Sequence, residues 1–194
     1  MDADELLKRY AAGERNFSQA NLAGVNLAKA DLSNVDLSEA NLVKANLTQT
    51  NLAQANLAKA NLAEANLSEA NLTFANLAQV HLVKANLVGA NLIDATLKGA
   101  NLAQVNLAEA KLTRADLEEA NLIKANLIEA DFTDANMVKA NITEVNLGFS
   151  ILSRVNLRQA NLSYTFLYKA NLAEANLANA VLRGAVMPDG TLHD

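Results

Sequence analysis

Asp116, Glu118 and Glu119 lie almost side by side in the sequence. Carboxylates that close can share a proton or hold a hard cation. Against a metal site stand Lys98 and Lys139, which the repeat described below places beside them; the expectation is a solvated, ion-paired face. His81 and His193 are the only imidazoles and are far apart in sequence, and a lone imidazole is a poor ligand set. His81 is expected on the surface. With no cysteine, thiolate sites and disulfides are excluded. The chain has no G-x-S-x-G, P-loop, dinucleotide fingerprint or H-E-x-x-H, so nucleophile, phosphate and zinc chemistry have no foothold. The reading is a protein that is not an enzyme and uses no cofactor and no metal.

What organises these residues is a period of five. Every fifth residue from Phe17 to Met187 is large and apolar, and nearly all are Leu. Two residues before each sits a small residue, usually Ala. Between them stands Asn or Asp. A straight helix would spread such leucines over all faces, because five residues advance roughly 140°. A straight strand would flip every second one outward. The pattern is consistent with a chain that turns a corner at every repeat. Small residue and Leu then point inward, Asn points outward, and the next two residues make the turn. Gly24, Gly89, Gly99 and Gly184 all occupy the second corner position, where a type II turn requires positive φ. Corners with Lys, Glu or Gln there are expected to use a different turn type. The outward Asn column is expected to bond neighbouring backbone and successive Asn side chains.

Charge sets the coil size. At a separation of 20 residues, corner charges are opposite: Lys44/Glu64, Asp94/Arg114, Glu119/Lys139 and Asp134/Arg154 are examples, with Glu109/Glu129 as the like pair. At separations of 15 and 25, like charges predominate. Stacked rungs favour opposite charges, so four pentapeptides make one coil. The fold class is all-β, a quadrilateral β-helix of nearly nine coils, roughly 40 Å long. Apolar residues are 51% and aromatics only 4%, so the core must be Leu and Ala.

The predicted organisation is a capping helix within 1–15, a β-solenoid over 16–187, and a turn and tail over 188–194. Both solenoid ends need covers. In the N-terminal segment Asp2 or Asp4 can cap the helix and Gly13 can end it. Leu6, Leu7 and Tyr10 share the face expected over the first coil. At the other end MPDG (187–190) is a turn signal, and the short tail is expected to leave the last coil poorly covered. The net charge of −5 does not suggest a nucleic-acid partner. No apolar run approaches the roughly 18 residues of a membrane span, and MDADELLKRY is charged from its second residue. The expectation is a soluble, cytoplasmic protein.

Two outward apolar sets interrupt the polar exterior. Val83, Val88 and Ile93 decorate one coil, and Ile123 and Ile128 another two coils on. Strand preference accounts for them unless they form a binding band. The second set is sharper. Leu147, Leu167 and Met187 share one side, and Phe166 and Tyr168 flank Leu167 and point outward. Tyr164 stands on the corner leading in and Phe149 on the corner leading out, with Ile151 just beyond. Val186 stacks over Phe166, and Gly148 is expected to give the Tyr168 ring room. The inner leucines keep register, so this change does not serve the core. It is expected to be a protein interface, homodimeric through the C-terminal end or with a partner protein. The alternative is a cover for the tail or the last coil.

The units ANLAE (60–64) and ADLEE (115–119) resemble the A-[ND]-L-x-x motif of the pentapeptide repeat family. The match covers nearly the whole chain. It implies a right-handed quadrilateral β-helix, and the handedness comes from the resemblance alone. The flanks ELLKRYAAGERNF (5–17) and GAVMPDGTLHD (184–194) look like the ends of cyanobacterial members, including a regulator of heterocyst differentiation. That implies a protein-binding role. Other members mimic DNA and bind DNA gyrase, which needs a long face of one charge sign; the alternating columns here argue against it. A purely structural solenoid is the remaining alternative.

Overall fold

The structure, a computed structural model, describes residues 1–194. Its one helix, α1, spans Ala3–Ala11. The Asp2 carboxylate accepts the Glu5 N–H at 2.9 Å, satisfying an otherwise free helix donor. Asp4, the other cap candidate, lies in the first turn with Glu5, where negative charge favours the helix N-terminus. Gly13, at φ +97°, follows the helix end. Leu6 is fully buried, and Leu7 and Tyr10 pack half-buried on the same core. The Tyr10 hydroxyl donates to the Ser33 carbonyl of the first full coil at 2.8 Å.

From Asn16 onward each outward residue forms a parallel bridge with the residue 20 positions ahead, from Asn16–Asp36 to Phe166–Val186. The coil therefore has four sides. Each side contributes one bridged residue because the chain turns before a longer strand can form. The bonding repeats: Leu22 N–H donates to Asn41 O at 2.7 Å, Gly24 N–H to Val43 O at 2.8 Å, and Asn41 N–H back to Ala20 O at 2.9 Å. Nearly every corner is closed by a bond such as Val25 N–H to Leu22 O at 3.2 Å; the corner before Val145 is the exception.

The corners correct one expectation. Those carrying Lys, Glu or Gln do not change turn type. Lys29, Glu39 and Gln49 have φ of +62°, +58° and +57°, beside +67° at Gly24. Positive φ falls at the third turn residue alone, the type II signature. The cause is the ladder: that residue's N–H must reach the coil above, as Lys29 N–H reaches Thr48 O at 2.9 Å. A different turn would misdirect this donor and the next. The left-handed conformation costs an L-residue about 1–2 kcal/mol, and the coil spacing enforces it.

The interior is one continuous stack of Leu and Ala rings from Leu22 to Leu167. Phe132, Met137 and Ile142, three consecutive departures from Leu, are also fully buried. Thr50, Ser150 and Thr165 occupy small inward positions and are buried. Their hydroxyls donate to the carbonyls of Leu27, Leu147 and Ile142 at 2.8, 2.7 and 2.6 Å, so no buried polar side chain lacks a partner. Outside, the Asn column behaves as expected. Asn46 Oδ1 accepts the Thr48 N–H at 3.2 Å, and Asn46 Nδ2 donates to Asn26 Oδ1 at 2.9 Å.

At the other end the chain leaves the solenoid. Gly190 N–H closes a turn onto Met187 O at 2.9 Å, and Leu192 returns antiparallel to Val186. Leu172, Leu177 and Leu182 of the last coil are only half-buried. No helix is long and apolar enough to cross a membrane.

Candidate protein-interaction surface

The departures from the motif collect on one side near the C-terminal end. Phe166 takes an Asn position, bridged to Asn146 below and Val186 above, so the Asn ladder of that side stops there. The Phe149 and Tyr168 rings meet edge-on with centroids 6.1 Å apart, and Phe166 and Tyr168 lie 6.0 Å apart. Lys169, one coil above Phe149, holds its Nζ 5.3 Å from the Phe149 centroid and 5.4 Å from that of Tyr168. Such contacts favour cations over ring faces.

Glycines make room for the rings, though not all as expected. A Cβ at Gly148 would lie 3.3 Å from Phe166 Cε1. Gly148 therefore accommodates Phe166 and not Tyr168, the ring expected there from the register. The reason is lean: the Phe166 ring tilts across the neighbouring Gly148 of the coil below, while Tyr168 turns toward the tail, where a Cβ at Gly190 would stand 3.6 Å from its ring. A Cβ at Gly184 would lie 2.7 Å from Tyr164 Cδ1, so the Tyr164 ring packs directly against the next corner.

The named residues divide by exposure. Phe149, Ile151, Tyr164 and Phe166 are 50%, 41%, 56% and 40% exposed. Tyr168 and Val186 are half-buried and are tied to the tail through Gly190 and Leu192. The aliphatic set, Val83, Val88, Ile93, Ile123 and Ile128, is half-buried throughout. Ile93 and Ile123 also give their N–H groups to Asn91 and Asn121. Beside the terminal Met1, three further exposed apolar residues are not among the expected ones: Phe74, Val181 and Leu192. Phe74 and Val181 were visible as apolar residues in polar positions. Leu192 keeps the five-residue register, which conceals its exposure.

The acidic cluster resolves into structural pairs. Lys98 Nζ meets Glu118 Oε2 at 2.8 Å, and Lys139 Nζ meets Glu119 Oε1 at 3.2 Å. The Lys98 hydrogen bond holds the Glu118 carboxyl below its ordinary range, and Glu118 in turn raises Lys98. Asp116 Oδ1 accepts from Glu118 N–H and from Asn136 Nδ2. His81 is exposed and bridges Asn61 and Asn101 through its backbone.

The pentapeptide repeat family matches in successive blocks at 16–52, 45–82, 70–108, 85–119, 110–148 and 150–187. This chain belongs to the pentapeptide repeat family. Among solved structures it is similar to HetL of the cyanobacterium Nostoc sp. strain PCC 7120, a pentapeptide repeat protein involved in heterocyst differentiation regulation. The identity is 33% over 100% of both chains, with a TM-score of 0.57. A second Nostoc PCC 7120 pentapeptide repeat protein is 37% identical over 62% of this chain and 80% of its own, with a TM-score of 0.27. The plasmid-mediated fluoroquinolone resistance protein QnrB1 is 18% identical over 86% of each chain, at a TM-score of 0.46. Among curated proteins, none matches the sequence significantly. The likeness to HetL implies the right-handed sense for the quadrilateral β-helix of this pentapeptide repeat protein.

Proposed function

We propose that this pentapeptide repeat protein is a non-enzymatic protein-interaction module whose partner docks on the Phe149–Ile151–Tyr164–Phe166 surface. Tyr168 and Val186 back that surface. The carrying observation is the combination of four exposed apolar side chains with buried leucines that keep the register beneath them. Rings that the core does not need, seated against Gly148 and Gly184, suit anchors for a partner. Likeness to HetL over the full chain supports a regulatory role in cyanobacterial cell differentiation or signalling, acting in the cytoplasm. In this reading 1–15 caps the solenoid, 16–187 presents the surface, and 188–194 covers part of the end.

The test is the double variant Phe166→Asn with Tyr168→Ser, which restores ordinary repeat chemistry. It is expected to melt within a few degrees of the parent and to lose the proteins that the parent captures from cyanobacterial extract. A large fall in melting temperature with capture intact would mean that the rings serve as a cover.

A further inference from the structure

The corner column that carries Phe149 departs from the charge pattern of the fold. Elsewhere, opposite corner charges pair between coils, as Arg114 does with Asp94 and Arg154 with Asp134, both at 2.6 Å. Here Glu109, Glu129 and Phe149 stack in successive coils, at φ of +60°, +59° and +60°. Glu129 N–H reaches Gly148 O at 3.1 Å, which seats its corner directly beneath that of Phe149. Glu109 and Glu129 are the one like-charged stack among the corners, and both are exposed. Neither makes an ion pair, and Lys111, two residues beyond Glu109, pairs with neither. Like charges directly opposite each other repel, so this pair does not serve the fold.

The column also has a polarity. Above Phe149 stands Lys169, whose Nζ lies over the Phe149 and Tyr168 rings. Below Phe149 stand the two unpaired carboxylates. Beside it, exposed Ile151 is bridged to Asp131 in the coil beneath, and the Asp131 carboxylate is already taken by Thr113 and Thr133. An apolar group resting on Phe149 and Ile151 therefore has an ammonium on its upper flank and Glu129 and Glu109 on its lower one. A cation brought by the same partner belongs on the lower flank. Successive coils lie about 4.8 Å apart. The forked donors of a guanidinium can serve two carboxylates at that spacing, whereas an ammonium is a single point of charge.

We propose that the partner of the aromatic surface is a protein segment presenting an arginine beside a large apolar side chain. The guanidinium bridges Glu109 and Glu129, and the apolar side chain lies on Phe149 and Ile151. This partner chemistry rests on the docking role proposed for the rings.

The probe is a phage-displayed library of random dodecapeptides selected on the intact chain. Enriched peptides are expected to carry an arginine within a few residues of a large apolar side chain. A synthetic peptide of the enriched sequence should lose about tenfold in affinity on Glu109→Gln/Glu129→Gln. Replacing its arginine by glutamine should cost as much against the parent and nothing further against that variant. Glu129→Lys, which restores charge alternation, should melt no lower than the parent and lose the peptide. A selection that enriches no arginine-bearing peptide, peptides that need Phe149 but are indifferent to Glu109 and Glu129, or a Glu129→Lys variant that melts well below the parent would each overturn the arginine assignment and leave the docking surface standing. Peptides indifferent to Phe149→Gln and to Phe166→Asn/Tyr168→Ser alike would overturn both.

Discussion

Tyr164 lies against Gly184 one coil above, so closely that a Cβ at residue 184 would come within 2.7 Å of the ring. Gly24 occupies the same kind of corner at nearly the same φ, +67° against +68°, with nothing within 4 Å of its Cβ position. The pair separates backbone cost from ring contact. Gly24→Ala is expected to cost about 1 kcal/mol, the penalty for an L-residue at positive φ. Gly184→Ala should cost about 1–2 kcal/mol more through overpacking. In a Tyr164→Gln background the extra cost should vanish. Thermal unfolding of the four variants forms the cycle; equal costs at both glycines would mean that the ring moves away freely.

The register is continuous, and one residue matters more than twenty. Inserting Gly after Ala100 would drive each later Leu out of the interior unless the extra residue loops out. The expected loss exceeds about 4 kcal/mol. Deleting a whole coil, such as residues 101–120, removes one layer and rejoins matching surfaces, so its effect should be much milder. Comparing the two denaturation curves is sufficient. If both variants unfolded alike, the coil of 20 defined by the bridges would not govern stability.

Acid should loosen the corner columns. Arg114 and Arg154 make two hydrogen bonds each to Asp94 and Asp134, at 2.6–2.7 Å, and these bonds hold both carboxyls below their ordinary range. Asp31 is also lowered, chiefly by the Ser33 backbone N–H. A depressed folded pKa means that the unfolded chain binds protons first as pH falls. The contribution is complete above the ordinary carboxylate range and is lost as pH descends through it and then through the lower folded values. Because these groups are exposed, the effect should be small and should shrink in high salt. Melting temperature against pH for the parent and Asp134→Asn tests this. The variant should lack part of the acid slope.

Purified protein should leave DNA gyrase supercoiling unchanged. Ion pairs interrupt the corner columns: Lys44–Glu64 at 3.6 Å, Lys124–Glu144 at 3.5 Å and Lys139–Glu119 at 3.2 Å, beside the two Arg–Asp pairs. DNA mimicry requires an extended field of one sign. Potent inhibition in a supercoiling assay would show that charge alternation does not exclude that activity.

Much of this architecture was determined by the sequence alone. A period that fits neither helix nor strand forces a corner at every repeat, and the alternation of charges at 20 residues sets four corners per coil. The Asn ladder and the outward course of Phe149, Ile151, Tyr164 and Phe166 follow from that register, because side-chain direction alternates along so short a side; the sequence offered Asp2 and Asp4 alike as helix caps, and the structure selects Asp2.

Only the tertiary structure decided the rest. Local propensity assigns Lys, Glu and Gln corners to a turn without positive φ, and the inter-coil hydrogen bonds override it. The ring that fills the space over Gly148 depends on side-chain lean, which the register leaves free, so Phe166 rather than Tyr168 occupies it. Leu192 keeps the repeat spacing yet stands 65% exposed. The turn at 187–190 sends the chain back antiparallel to Val186, and periodicity cannot describe a chain that has left the coil.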